Sequence, residues 1–216
     1  MKLNLVIAAL AVACSATEVR ASTLTLDSVD GVKDSAGNFV GPYSGKLDGL
    51  TYNIFCDDFN HHISIPDSET VNVSTLTDLH LTRFGGVAAA TSLYQQVFYL
   101  SSYLPGASAT QRGDVQDAMW SYFSTSAPNQ AKAEVQSWLA QAKSNYVGKD
   151  YSSFRILTEA NSASGPTAQF DGKQELFLST TTRQPGLTST PEPATWAMLL
   201  TGVGGLAFAR FRRKSV

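Results

Sequence analysis

Cysteine is scarce in this chain. Cys14 and Cys56 are the only two in 216 residues, and if the first leaves with an export signal the second has no partner in its own chain. An unpaired thiol in an oxidising compartment needs a reason: burial as a small hydrophobe, pairing with another chain, or chemical use. Histidine is equally scarce, with His61, His62 and His80 the full set. Adjacent histidines on a strand point to opposite faces, so His61 and His62 are ill placed to share one ion. They read as a solvated surface pair. The stretch DDFN lacks the spacing and glycine of a calcium loop, and Gly85-Gly86 has no phosphate-loop continuation. Neither a metal nor a cofactor is expected. A basic surface is missing too. Lys and Arg total 16 against 18 Asp and Glu. The two ends of the chain hold six of the bases and two of the acids, so the portion between them carries 10 − 16 = −6. That balance disfavours nucleic-acid binding.

What the chain does have is concentrated first at its ends. The N-terminus reads MKLNLVIAALAVACSATEVRAS. Lys2 supplies a positive start, Leu3 to Ala13 form an apolar run too short to span a bilayer, and Val19 and Ala21 occupy the −3 and −1 positions of a signal-peptidase site. A secretory signal over residues 1–21, cleaved after Ala21, is the expectation. The rival reading takes AVAC as a lipoprotein signal acylated at Cys14. At the other end, Ala194 to Ala209 is apolar apart from Thr195, Thr201 and glycines. At about 1.5 Å per residue it would just cross a thin hydrocarbon core. Arg210, Arg212, Arg213 and Lys214 follow as a stop-transfer cluster that stays cytoplasmic, and Pro191-Glu192-Pro193 stands immediately before the run.

This triplet, short membrane helix and arginine-rich end, in that order over residues 191–214, resemble the PEP-CTERM sorting signal of Gram-negative bacteria. The resemblance implies recognition by an exosortase, an integral-membrane enzyme that processes the protein near the triplet. It also implies export by signal peptidase, transient insertion in the inner membrane through a helix over 194–209, and release to the cell surface or the extracellular matrix. Residues 191–216 are then a sorting label rather than part of the mature protein.

About 170 residues remain, enough for one domain with a core. Ser22 to about Thr77 has a strand-like texture: TLTLDSV alternates, DGVKDSAGN carries turn residues, ETVNVSTL reads as a strand, and GLTYNIFCDDF sets Leu50, Tyr52, Ile54 and Cys56 on one face. Helical periodicity then takes over. Val87, Ala90, Leu93, Tyr94, Val97, Leu100 and Leu104 recur at spacings of three and four until Pro105-Gly106. A second helix fits GDVQDAMWSYF with Asp114 at its N-terminus, and a third runs from near Pro128 to Gly148. SSFRILTE and AQFDGKQELFLS return to strands, with Asp171-Gly172 as a two-residue hairpin turn. The expected class is α+β: a strand-rich N-terminal part, a helical middle and a C-terminal β-hairpin, with the helices grouped to one side. The exported domain spans 22–178, and a Thr/Ser-rich linker occupies 179–190.

Two stretches break the pattern. In NIFCDDF, Cys56 lies on the apolar face of its strand and two aspartates follow at once. In VQDAMW, Gln116 lies beside Trp120 and Phe123 on an ideal helix, and an amide among aromatics must find a hydrogen-bond partner or cost about 1–3 kcal/mol. These stretches resemble the paired motifs of thioester domains in Gram-positive surface adhesins, an aromatic-Cys and a hydrophobic-Gln-x-Ala-hydrophobic-Trp. Phe55-Cys56 matches the first and Val115 to Trp120 the second, with Val115 where those domains usually carry Thr. The resemblance implies that Cys56 supplies the sulfur and Gln116 the acyl carbon of an internal thioester, formed with loss of ammonia. Tyr52, Phe55, Trp120 and Phe123 would shelter it from water. The layout GPY…FCDDF…QxAxW, from Gly41-Pro42-Tyr43 to Trp120, is also similar to an exported PEP-CTERM group, which assigns no chemistry.

The expectation is an exported surface or matrix protein that is not an enzyme. It would be a covalent adhesion module capturing a surface amine or hydroxyl, or else an inert component of the extracellular polysaccharide with Cys56 buried. A Cys56–His hydrolase is a third reading. His62 shares the face of Cys56 and His61 is close in sequence, but no third orienting residue stands out. Trp120, Trp138 and the tyrosines fit core positions better than a carbohydrate platform.

Overall fold

The computed structural model of the chain describes residues 21–160 and 172–183. The signal peptide apart from Ala21, the triplet, the 194–209 run and the basic cluster lie outside the described residues. Among the described residues no helix is long and apolar enough to cross a membrane.

The elements run β1 (Ala21–Val29), β2 (Tyr43–Leu47), β3 (Leu50–Cys56), β4 (Asp67–Ser74), α1 (Ala90–Ser101), α2 (Ala109–Ser121), α3 (Ala133–Asn145), β5 (Phe154–Glu159) and β6 (Leu176–Arg183). The six strands close into a barrel in the order β1-β2-β3-β6-β5-β4, every neighbour antiparallel. Strands and helices are segregated along the chain, as α+β requires. Closure is the part that alternation does not announce. Among the described strands it leaves no edge open to pairing with another chain.

Period-two alternation sorts the side chains into two cores. Leu24, Leu26, Tyr43, Tyr52, Ile54, Cys56, Val71, Leu157, Leu176 and Leu178 make one buried cluster within the barrel. Phe55, Ile156 and Phe177, the intervening residues, face outward and join the cluster formed with the three helices. Phe98 stacks on Phe154 with ring centres 4.4 Å apart and meets Phe177 at 5.0 Å. The helical layer is thereby fixed over strands β5 and β6.

Several expected boundaries move, each for a local reason. Strand β2 carried no alternation signal in the sequence. Its Gly45 is required by close packing, since a Cβ there would lie 2.6 Å from both the Thr25 carbonyl oxygen and Ile54 Cδ1. Helix α1 starts at Ala90 rather than Val87, because Ala89 takes φ 60° in the left-handed region. Helix α2 starts five residues before Asp114, capped by Ser108, whose hydroxyl accepts from the Gln111 N–H at 3.3 Å. Asp114 is thus inside the helix, where it meets Lys132 Nζ at 2.5 Å. Gly113, a poor helix former, stands where Asp34 packs closely, since a Cβ there would come within 3.2 Å of Asp34 Cα. Helix α3 starts at Ala133, not at Pro128.

The C-terminal pair also differs in detail. β5 and β6 are antiparallel neighbours, and the expected Asp171-Gly172 turn falls at the edge of the described residues. Asp171 lies outside the described residues and Gly172 is in no strand. β6 continues to Arg183, so residues 179–183 belong to the barrel rather than to the linker.

Candidate functional site

Cys56 is the last residue of β3 and Gln116 lies at the middle of α2. Sixty residues apart in sequence, they meet where α2 crosses the end of the barrel. Both are fully buried. Gln116 Nε2 donates to the Cys56 carbonyl oxygen at 2.8 Å, and Gln116 Oε1 accepts from the Gly41 N–H at 3.2 Å. The amide that the sequence left among aromatics therefore satisfies two buried backbone groups. Gly41 matters for its nearness: a Cβ there would lie 3.5 Å from Gln116 Oε1 and 3.6 Å from Phe55 Cδ1.

The thiol has its own partners. Cys56 Sγ donates to the Asp58 carbonyl oxygen at 3.2 Å and receives the Trp120 indole N–H at 3.5 Å. Burial pushes the thiol well above its ordinary value, and the charges of Asp58 and Asp57 act in the same direction. A thiol so held is protonated and slow to react as a thiolate. No imidazole bonds to it. His61, expected to be solvated, instead places Nδ1 2.8 Å from Asp58 Oδ2 and Nε2 3.2 Å from Arg83 Nη1.

Of the four residues expected to shelter the pair, two lie beside it: Trp120 touches the sulfur, and the Phe55 ring borders Gly41, whose N–H holds Gln116. Tyr52 belongs to the same barrel core as Cys56. Phe123 lies apart. It stacks on Phe84 with ring centres 4.2 Å apart and packs on Tyr94 at 5.0 Å, within the helical layer. The ideal-helix spacing that linked it to Gln116 ends with α2 at Ser121, two residues before it.

Beside this pair is a polar cluster that sequence reasoning missed. Asp58 Oδ2 lies 2.9 Å from Arg83 Nε and also accepts from the Glu175 N–H at 3.3 Å. Glu175 is fully buried. It accepts from the Tyr94 hydroxyl at 2.5 Å, the Thr158 hydroxyl at 2.5 Å and the Arg83 N–H at 2.6 Å. Burial raises its carboxyl to about 7. Asp57 is fully buried as well, and among the described residues neither carboxylate oxygen has a hydrogen-bond partner. Burial first, then the nearby Glu175 and Asp58, pushes its carboxyl well above the usual range. Two adjacent aspartates closing an apolar strand were the only trace of this cluster in the sequence. Its other members come from positions 83, 94, 158 and 175, which nothing local connects. Among the described residues no group of three or more His, Cys, Asp or Glu is placed to hold a metal ion.

The site thus offers a carboxamide polarised at oxygen by a backbone N–H, a thiol on the residue that binds the same amide, and apolar walls that exclude water. Comparison with known proteins adds one assignment. Residues 189–214 match the PEP-CTERM protein-sorting motif, so the chain carries the sorting label of an exosortase-processed extracellular protein. No curated protein and no solved structure matches the chain.

Proposed function

We propose that this exosortase-sorted protein is a single-use covalent capture module whose acyl donor is a thioester between Cys56 and Gln116. The observation that carries the reading is the direct contact between the Gln116 carboxamide and Cys56, both fully buried. To form the bond, Cys56 Sγ turns from the Asp58 carbonyl toward Gln116 Cδ. The C–S bond forms, the C–N bond breaks, and the thiol proton leaves with the amide nitrogen as ammonia. The Gly41 N–H, already on Gln116 Oε1 at 3.2 Å, meets the negative charge that develops on that oxygen. An incoming amine or hydroxyl then takes the acyl group, leaving an amide or ester on residue 116 and a free thiol at Cys56. Catalytic turnover has no part in this.

One observation favours a second reading. The amide and the thiol each have hydrogen-bond partners without any covalent link, as a purely structural pair would. On that reading the protein is a non-covalent component of the extracellular polysaccharide matrix. A hydrolase is the weakest reading, because the thiol is pushed upward and bonds no imidazole.

Iodoacetamide separates the three on folded mature protein. The thioester reading expects no labelling of Cys56 until methylamine opens the bond, then one label. Labelling that appears only after unfolding, with or without methylamine, supports the buried thiol and sinks the capture module. Rapid labelling without methylamine supports the hydrolase.

A further inference from the structure

A cleft of about 240 Å³ opens beside Trp120, lined by Asn38, Phe39, Phe59, His62 and Gln174 among others. We propose that it binds one neutral sugar ring of a polysaccharide, and that a hydroxyl of this ring is the group the acyl donor captures. The second half rests on the thioester reading; the first does not.

Three features of the cleft select the ligand. The first is charge. Among the described residues no Asp, Glu, Lys or Arg lines it, and its titratable side chains are His62 and Tyr43. Lys33 Nζ lies 4.5 Å over the Phe39 ring but is not part of the lining. Asp58, one residue from Phe59, is committed to Arg83 and His61. A phosphate, carboxylate or ammonium would be desolvated there without a counter-charge.

Size is the second. Sites for drug-sized ligands run to about 300–1,000 Å³, so this cleft suits a single ring. The third is the mixture of faces and acceptors. Phe59 leans on Trp120 with ring centres 5.2 Å apart, and Phe39 is 46% exposed. Such rings present electron-rich faces to the C–H face of a pyranose. Asn38 uses Nδ2 on Asp34 at 2.8 Å, and Gln174 uses Nε2 on the Asp58 carbonyl at 3.0 Å. Each amide is thereby fixed in orientation, with its oxygen unpartnered among the described residues. The exposed His62 ring is unpartnered as well. Two anchored carbonyl oxygens and an imidazole beside apolar rings suit a ligand that is hydroxylated at its rim and apolar on its face.

Trp120 joins the cleft to the acyl donor. It lines the cleft, and its Nε1 donates to Cys56 Sγ at 3.5 Å. A ring seated in the cleft is separated from the thioester by that indole, whose displacement brings the hydroxyl to the acyl carbon. The hydroxyl oxygen attacks Cδ of residue 116, the C–O bond forms as the C–S bond breaks, and the hydroxyl proton passes to the Cys56 sulfur. An ester to the sugar results.

The test has two arms, both on purified mature protein. In the first, Cys56→Ser, which has no acyl donor, is titrated with the methyl glycosides of glucose, galactose and N-acetylglucosamine while the Trp120 indole and His62 signals are followed by NMR. Saturable shifts with at least one glycoside are expected, weakened at least tenfold by Asn38→Ala with Gln174→Ala in protein whose remaining NMR spectrum is that of the folded state. Shifts that never saturate, or that survive the double substitution, overturn the sugar site. In the second, the unsubstituted protein is incubated with the glycoside that binds and its intact mass is read. The expected species carries one glycoside in place of ammonia, mapped to residue 116. A protein lacking ammonia but never acquiring the bound glycoside overturns the acceptor role. Binding without any ammonia loss overturns the thioester reading and leaves the sugar site standing.

Discussion

Gln116 holds two buried backbone groups at once, the Gly41 N–H and the Cys56 carbonyl. Removing its amide orphans both, at about 1–3 kcal/mol each. Gln116→Ala should therefore lower the unfolding free energy by about 2–6 kcal/mol in urea denaturation, a loss larger than a helix-surface substitution causes. Asp57 is the opposite case, a buried carboxyl with no hydrogen-bond partner among the described residues, whose burial disfavours the charged form. Asp57→Asn removes the cost of ionising it beside Glu175. Its thermal midpoint should exceed that of the unsubstituted protein at pH 8, and the difference should shrink at pH 5, where Asp57 is already protonated; an equal shift at both values would contradict the account. At this scale the sequence was informative in part. That Cys56 and Gln116 each put a polar group on an apolar face was legible in the residues, and their pairing was what the thioester-domain resemblance implied. The Asp57–Glu175 cluster was not legible, since it depends on how β3, β6 and the residues around Arg83 converge.

Among the elements, β2 and α2 are the ones on which the site depends. Strand β2 pairs with both β1 and β3, and at Gly45 there is no room for a methyl group. Gly45→Ala should cost about 1–3 kcal/mol through overpacking, read as a lower urea midpoint. Helix α2 carries Gln116 and Trp120, and its Ser108 cap should be worth about 1 kcal/mol when replaced by Ala. The long strands β1, β3 and β4 and all three helices were legible from periodicity. Their ends were not, because capping at Ser108 and the left-handed Ala89 override the apolar pattern. Strand β2 was invisible for a different reason: YSGKL is short, and its glycine answers to packing across the barrel rather than to strand propensity.

For the whole molecule, the buried acids give stability a characteristic pH dependence. Burial raises Glu175, Glu69 and Asp117 each to about 7. A carboxyl whose folded pKa lies above its unfolded value, about 4, binds more protons folded than unfolded in between, so stability falls as pH rises through that interval. The half-buried Asp67 and the exposed Asp78 are shifted downward by Lys173 and His80, but solvent screening of these surface pairs leaves them little weight. The thermal midpoint should therefore be higher near pH 5 than near pH 7.5. A midpoint that rises across that range would show that these acids are ionised in the folded protein. Of the global features, the α+β class and the sorting label were readable from the sequence, because segregation of elements and a three-part tail are local patterns. Barrel closure was not, because it depends on β4 and β6 finding β1 and β3 across long connections.

The covalent reading stands or falls on the mass of the mature protein, purified fresh and measured intact. The account predicts a species lighter than the sequence mass by one ammonia, with the loss mapped by peptides to Cys56 and Gln116. The full sequence mass, with glutamine intact at 116 and a free thiol at Cys56, would contradict it and leave the protein a non-covalent matrix component.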